Sequence, residues 1–322
     1  MYSPDQLLAL YEKEFSKNNF NTNPTNLYKP VEHIMSMKGK KIRPLLVLLS
    51  CDMFGGRVEE ALNPAFAMEV FHNFTLVHDD IMDQADIRRG EPTVHKKFGT
   101  NAAILAGDVM LAYAYKYLTS VKLENVPALM NIFNKTAIEI FEGQQMDVDF
   151  ENRTDVTLPE YIKMIEYKTS VLLACCAQLG AILAGASDAD QKAVYDFGLN
   201  LGLSFQIKDD LLDAFGEGDK VGKKIGGDIL QNKKTYLYIS AYNSASDKQK
   251  ALLNALLTEK DEAKKIAGVK AIMQETGAVQ VTEKKAEDLY QQCLNSLKSV
   301  SLDESRKKVL YAMADMVNKR EY

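Results

Sequence analysis

The sequence reads as an all-α protein, roughly a dozen helices around a central cavity, in a single domain spanning 1–322. Three observations carry that reading. Apolar residues recur at helical spacing along most of the chain. Neither strand–helix alternation nor a dinucleotide-binding glycine fingerprint is present. Two apolar runs, Ala61 to Val77 and Leu199 to Ile207, each finish in the same acidic pattern, Asp-Asp-x-x-Asp, at 79–83 and at 209–213.

Composition narrows the class. Hydrophobic content of 46% fills a sizeable core, and a net charge of −5 gives no reason to expect nucleic acid as a partner. Cys51, Cys175, Cys176 and Cys293 show no metal or disulfide spacing, which fits a reducing cytoplasm. The N-terminus is polar, without a secretory signal. The longest apolar stretch, Val171 to Gly185, has 15 residues and includes Gln178. That falls short of the roughly 20 needed to span a bilayer.

In chain order, Ser3-Pro4-Asp5 opens a first helix with a cap, a proline and an acid. Residues 18–30, rich in Asn, Thr and Pro, read as loop. The basic run Lys38-Gly39-Lys40-Lys41-Ile42-Arg43-Pro44 leads into an apolar helix to Met53. Cations at such a junction suit a phosphate, because free backbone N–H groups point there too.

The Ala61 to Val77 helix carries His72 two turns before Asp79, on the same face. Asp79 and Asp83 also share a face. A helix C-terminus carries partial negative charge, so acids there repel the dipole and each other unless a cation binds. Oxygen-only ligands suit a hard ion such as Mg²⁺, usually shared with a phosphate-bearing substrate. Arg88 and Arg89 follow, able to fork onto phosphate.

Helices over 102–118 and 127–150 come next, the second carrying polar groups at 142–147. Thr157-Leu158-Pro159-Glu160 is a capping box for a helix running to Ala184. Lys168-Thr169 interrupts its apolar face, and a buried lysine wants either a phosphate or a core acid. Gln206 precedes the second acid cluster. The run Gly216 to Lys234 is rich in Gly and Lys and lacks the Walker pattern, so it reads as a lid over phosphates. The remainder reads as helices broken at 244–246, at Gly268 and at 299–303. Two acid clusters ending two apolar helices suggest two metal-binding walls that share one diphosphate.

These motifs, in this order, resemble the trans-isoprenyl diphosphate synthases, or polyprenyl synthetases. The resemblance runs from about Lys38 to Lys234: Gly-Lys-Lys-Ile-Arg-Pro at 39–44, His72, the first acid motif, Arg88-Arg89, Gly-Gln-x-x-Asp at 143–147, Lys168-Thr169, Phe205-Gln206, the second acid motif, Lys223 and Lys233. It implies the isoprenoid synthase fold, a homodimer, and condensation of isopentenyl diphosphate with an allylic diphosphate (dimethylallyl, geranyl or farnesyl). It also implies about three Mg²⁺ ions. By the same resemblance, Asp79, Asp83 and Asp209 would hold those ions, with Asp80, Asp210 and Asp213 as nearby ligands or supports. Arg88, Lys168, Lys223 and Lys233 would bind the allylic diphosphate. Lys40, Arg43, His72 and Arg89 would bind isopentenyl diphosphate, and Thr169 and Gln206 would line the site beside the developing cation.

Product length follows from depth along the helix. Phe74 lies five residues before Asp79, about 7–8 Å deeper at ~1.5 Å per residue. Phe74, with the small Thr75 beside it and no insertion in the first acid motif, resembles the pattern of short-chain synthases making geranylgeranyl diphosphate. Farnesyl diphosphate is the close alternative. A class I terpene cyclase fits less well, since Asp213 stands where its second metal motif has Ser or Thr. A regulatory subunit could lose acids from one cluster, whereas all six are present.

Overall fold

The computed structural model describes residues 1–17, 20, 22–216 and 226–318. Among them the expected all-α architecture holds. The helices are α1 (Pro4–Phe15), α2 (Thr25–Ser36), α3 (Ile42–Met53), α4 (Val58–Met82), α5 (Val94–Phe98), α6 (Thr100–Leu118), α7 (Val126–Glu151) and α8 (Leu158–Ile165). They continue as α9 (Val171–Leu183), α10 (Asp188–Phe215), α11 (Gly227–Leu230), α12 (Tyr236–Ser244), α13 (Asp247–Leu256), α14 (Glu262–Glu275), α15 (Ala278–Lys298) and α16 (Glu304–Asn318). A small antiparallel hairpin pairs β1 (Ile87–Arg88) with β2 (Glu91–Pro92).

The described chain forms two compact units. The first comprises Met1–Phe133, Cys176–Lys192 and Leu302–Val309; the second comprises Asn134–Cys175, Ala193–Ser301 and Leu310–Tyr322. In the first, α4 is the central rod, packed on α3 and α6. Every residue from Ala65 to Phe71 is buried, as expected for a helix apolar nearly all round. Phe66 holds α1 and α6 to it, with Phe15 and Tyr117 edge-on at 5.0 and 4.6 Å. The Ser50 hydroxyl of α3 donates to the Ala177 carbonyl at 2.6 Å.

In the second unit, α10 runs between two apolar clusters. Leu203 and Ile207 pack with Tyr161, Ile165, Tyr236 and Leu289. Leu211 and Ala214 pack with Ile229, Leu237, Leu253 and Met273. Burial of those four α10 residues fixes the roll of the helix, and therefore the direction of the acids between them.

Several local expectations are corrected. Residues 25–30 are the start of α2, with Pro30 inside the helix, not loop. The Leu158–Ala184 helix is interrupted by a π turn at Glu166–Ser170, where Lys168-Thr169 breaks the apolar pattern. Gly268 does not break a helix: α14 passes through it, because a Cβ there would lie 2.9 Å from Leu256 and glycine lets α13 approach. The break falls instead at Gly277, with φ at 71°. The second acid motif lies within α10, whose end is Phe215. Of the expected lid, residues 217–225 lie outside the described residues, and with them Lys223.

Candidate active site

In the first unit, α4 ends on the first acid motif as expected. Asp83 is its C-cap, its N–H donating to the Asp79 carbonyl at 2.8 Å. Asp79 is half-buried and Asp83 exposed, one turn apart on one face. Asp80 is 1% exposed, and its carboxylate takes Nε and Nη2 of Arg88 at 2.7–2.9 Å. The middle acid is therefore the most buried of the three and is held by Arg88.

The hairpin makes that pairing possible. Its two-residue turn, Arg89-Gly90, has φ of 54° and 83°, the positive pair that a tight twisted hairpin requires. Glycine adopts this freely, but for Arg89 it costs about 1–2 kcal/mol. Arg89 thereby reaches the loop before α3, where a Cβ on Gly39 would lie 3.0 Å from Nη1 of Arg89. Glycine at position 39 leaves room for the guanidinium.

Arg43, at the start of α3, places Nη1 3.1 Å from His72 Nε2. Burial, then Arg43, Arg89, Arg88 and Lys41, hold His72 well below the usual histidine range. The ring is neutral at pH 7, so Nε2 accepts from Arg43 and the proton sits on Nδ1. Burial also lowers Arg43 and Arg89, though guanidinium stays charged. Lys40 is exposed beside them. Phe74 is 5% exposed, its ring 5.5 Å from Phe71 and 4.9 Å from His78. The Thr75 hydroxyl is turned back to the His72 carbonyl at 2.8 Å.

In the second unit, the π turn aims Lys168 and Thr169. Such turns insert one extra residue into a helix and concentrate at functional sites. Gly143 of α7 permits this one, since a Cβ there would lie 2.4 Å from the Lys168 backbone nitrogen. The Lys168 ammonium meets Asp147 at 2.5 Å, an acid as expected, but with both side chains part-exposed and not a buried lysine on a core acid. The Thr169 hydroxyl donates to Gln206 Oε1 at 3.2 Å, and Gln206 Nε2 lies 3.3 Å from Asp210 Oδ1. The buried Tyr161 hydroxyl donates to Asp210 Oδ2 at 2.5 Å. Burial, then Asp228, push Asp210 above the usual carboxylate range, opposed by Tyr161 and Gln206. As at Asp80, the middle acid is buried and bonded within the protein, while Asp209 is half-exposed.

Asp213 accepts the Asp228 N–H at 2.9 Å, and Lys233 lies 3.7 Å from Asp228. A cleft of about 170 Å³ in this unit is lined by Asp147, Lys168, Thr169, Gln206, Asp209, Asp210, Asp228 and Lys233, among others. The donor set fits a hard cation: carboxylate oxygen throughout, with the outer acids accessible. Among the described residues no group of three or more His, Cys, Asp or Glu forms a metal cage. An ion held by one or two carboxylates completes its shell with water and phosphate oxygen, as Mg²⁺ commonly does.

No sequence motif marks Glu69, Tyr161 or Asp228 as site residues, or the pairing of Lys41 with Glu69. Glu69 leaves one trace, an acid in an apolar helix one turn before His72. Tyr161 leaves none, since its partner is 49 residues away.

The polyprenyl synthetase family model matches residues 24–276. A geranylgeranyl diphosphate synthase of Saccharolobus solfataricus is 46% identical over 260 residues, spanning 79% of this chain and 76% of its own. Another of the same description, from Sulfolobus acidocaldarius, is 39% identical over 279 residues, spanning 85% and 84%. A crystal structure of a geranylgeranyl pyrophosphate synthase superimposes with a TM-score of 0.94 at 41% identity, over 100% of both chains.

Proposed function

The chain belongs to the polyprenyl synthetase family and is a prenyltransferase, and on that premise we propose that it extends farnesyl diphosphate by one isopentenyl unit and stops at geranylgeranyl diphosphate. The observation that carries the chemistry is the cleft of the second unit, where Lys168, Thr169, Gln206, Asp209, Asp210 and Lys233 line one space. The product assignment draws on the relatives' descriptions and on Phe74.

Asp79, Asp83 and Asp209 would hold Mg²⁺, with Asp80, Asp210 and Asp213 behind them. An ion bound there would neutralise charge on the leaving diphosphate. Arg88, Lys168 and Lys233, with Lys223 outside the described residues, bind the allylic diphosphate and stabilise its charge as the C–O bond breaks. Lys168 does so by sharing its ammonium between Asp147 and phosphate. The Thr169 hydroxyl and the Gln206 carbonyl oxygen turn partial negative charge toward the allylic cation. Lys40, Arg43, neutral His72 and Arg89 hold isopentenyl diphosphate, whose double bond attacks that cation. That attack leaves a tertiary cation on the isopentenyl unit, and the departing diphosphate takes a proton from the adjacent carbon to restore a double bond. Phe74, braced by Phe71 and His78, floors the space for the growing chain, and Thr75 keeps clear of it.

We further place the protein in the cytoplasm as a homodimer. No described helix is long and apolar enough to cross a membrane, and the four cysteines are free and buried. Ile104 and Leu105 of α6 are 41% and 56% exposed, and Ile138 and Phe141 of α7 are 57% and 45% exposed, apolar area suited to a subunit contact.

The test is diphosphate release from farnesyl and isopentenyl diphosphates with Mg²⁺. Asp209→Asn and Lys168→Met are each expected to lower kcat at least about 100-fold, the scale of removing one preorganised electrostatic group. Retention of wild-type kcat in both would overturn the role given to the cleft.

A further inference from the structure

The cation cluster of the first unit contains a buried anion with no role in the reaction above. Glu69 of α4 lies one turn before His72 and is 3% exposed. Its Oε1 accepts from Lys41 Nζ at 2.8 Å and from Asn73 Nδ2 at 3.1 Å. The Lys41 and Glu69 side chains are 14% and 4% exposed, so solvent screens the pair weakly.

Lys41 has an unusual backbone. It is the N-cap of α3, with φ at 48°, a conformation unfavourable for a lysine. Its carbonyl still accepts the Leu45 N–H at 3.1 Å. A left-handed residue here sets how residues 39–43 enter the helix. Gly39 lies on the Arg89 guanidinium, Lys40 follows at the surface, and Arg43 comes onto His72 within the first helical turn. The bond from Lys41 to Glu69 ties that local geometry to the rigid centre of α4.

Electrostatics lead to the same residue. Lys41, Arg43, Arg88 and Arg89 all act on His72, and Glu69 is the carboxylate that acts on both Arg43 and Arg89. Arg43 Nε is buried and makes no hydrogen bond among the described residues, a donor for an incoming anion.

We propose that Glu69 is the positioning residue of the isopentenyl diphosphate subsite: through Lys41 it fixes the left-handed entry to α3, and it supplies the counter-charge that keeps Arg43 and Arg89 together before the diphosphate arrives. The inference rests on Lys40, Arg43, His72 and Arg89 being that subsite.

The experiment is steady-state kinetics on the full chain with Mg²⁺, titrating isopentenyl diphosphate at saturating farnesyl diphosphate and the reverse, with Tm recorded for each variant. Glu69→Gln keeps the shape and removes the charge. It is expected to raise KM for isopentenyl diphosphate at least ten-fold, with kcat and KM for farnesyl diphosphate within two-fold of wild type. Lys41→Met is expected to do the same, and the double variant to be no worse than the worse single, since both act through one contact. Equal rises in both KM values, no rise in either, or a double defect equal to the product of the singles overturns the proposal. Should Glu69→Gln fail to fold, Lys41→Met decides alone. Arg43→Gln is the control for the subsite itself. If it leaves KM for isopentenyl diphosphate unchanged, the subsite reading fails and the inference with it. If it raises that KM while Glu69→Gln and Lys41→Met do not, only the inference fails.

Discussion

Tyr161 and Arg88 perform the same service in different parts of the chain, one in each unit. Each donates to the middle acid of a three-acid motif and holds that acid inside the protein. Tyr161→Phe leaves a buried carboxylate oxygen without its donor, which costs about 1–3 kcal/mol. Urea unfolding is expected to show that loss, and an unchanged midpoint would mean the bond contributes nothing. His72 gives a pH signature. Its folded pKa lies well below the unfolded value of about 6.5. As pH falls through 6.5 the unfolded state takes up protons that the folded ring refuses, so this group's stability is complete above pH 6.5 and is lost on acidification. The slope is at most about 1.4 kcal/mol per pH unit. Unfolding of wild type and His72→Gln at pH 7.5 and 5.5 checks it: the variant is expected to lose less on acidification, and an equal loss in both would contradict the neutral ring. At this scale the sequence shows the residues that sit in short motifs. It hides Glu69 and Tyr161, whose meaning lies in partners 28 and 49 residues away.

At the scale of elements, the sequence shows long apolar helices and hides local distortions. The π turn at Glu166–Ser170 exists because Gly143 lets the backbone of Lys168 approach α7. In the sequence it registers only as a polar pair in an apolar helix. Gly143→Ala puts a Cβ 2.4 Å from that nitrogen, so backbone must move. The expected result is a loss of about 1–3 kcal/mol in stability and at least ten-fold in kcat, because Lys168 and Thr169 shift with the turn. Circular dichroism melts and diphosphate-release assays read the two effects, and wild-type values for both would remove the turn from the account. The α2 helix is illegible for another reason: its Asn, Thr and Pro composition reads as loop, and burial of Val31, Ile34 and Met35 in the first unit overrides that local preference. Gly268 misleads in the opposite direction, since its glycine serves contact with α13 and not a break.

At the scale of the whole molecule, family and chemistry are legible because the two acid motifs and the lysines between them are local patterns. Assembly is not, since no periodicity shows that Ile104 and Leu105 remain exposed. A dimer that uses α6 predicts that Leu105→Lys shifts the sedimentation coefficient toward the monomer, while wild-type sedimentation would place the contact elsewhere. On the proposed function, this chain adds one isopentenyl unit to farnesyl diphosphate and stops. The most direct test is to incubate the purified protein with Mg²⁺, isopentenyl diphosphate and, separately, dimethylallyl, geranyl and farnesyl diphosphates, and to size the prenyl chains. A single C20 product from farnesyl diphosphate, with no longer chains, is expected. Chains that stop at C15 or run well past C20 would contradict the Phe74 floor, and no elongation from any primer by folded protein would contradict the synthase itself.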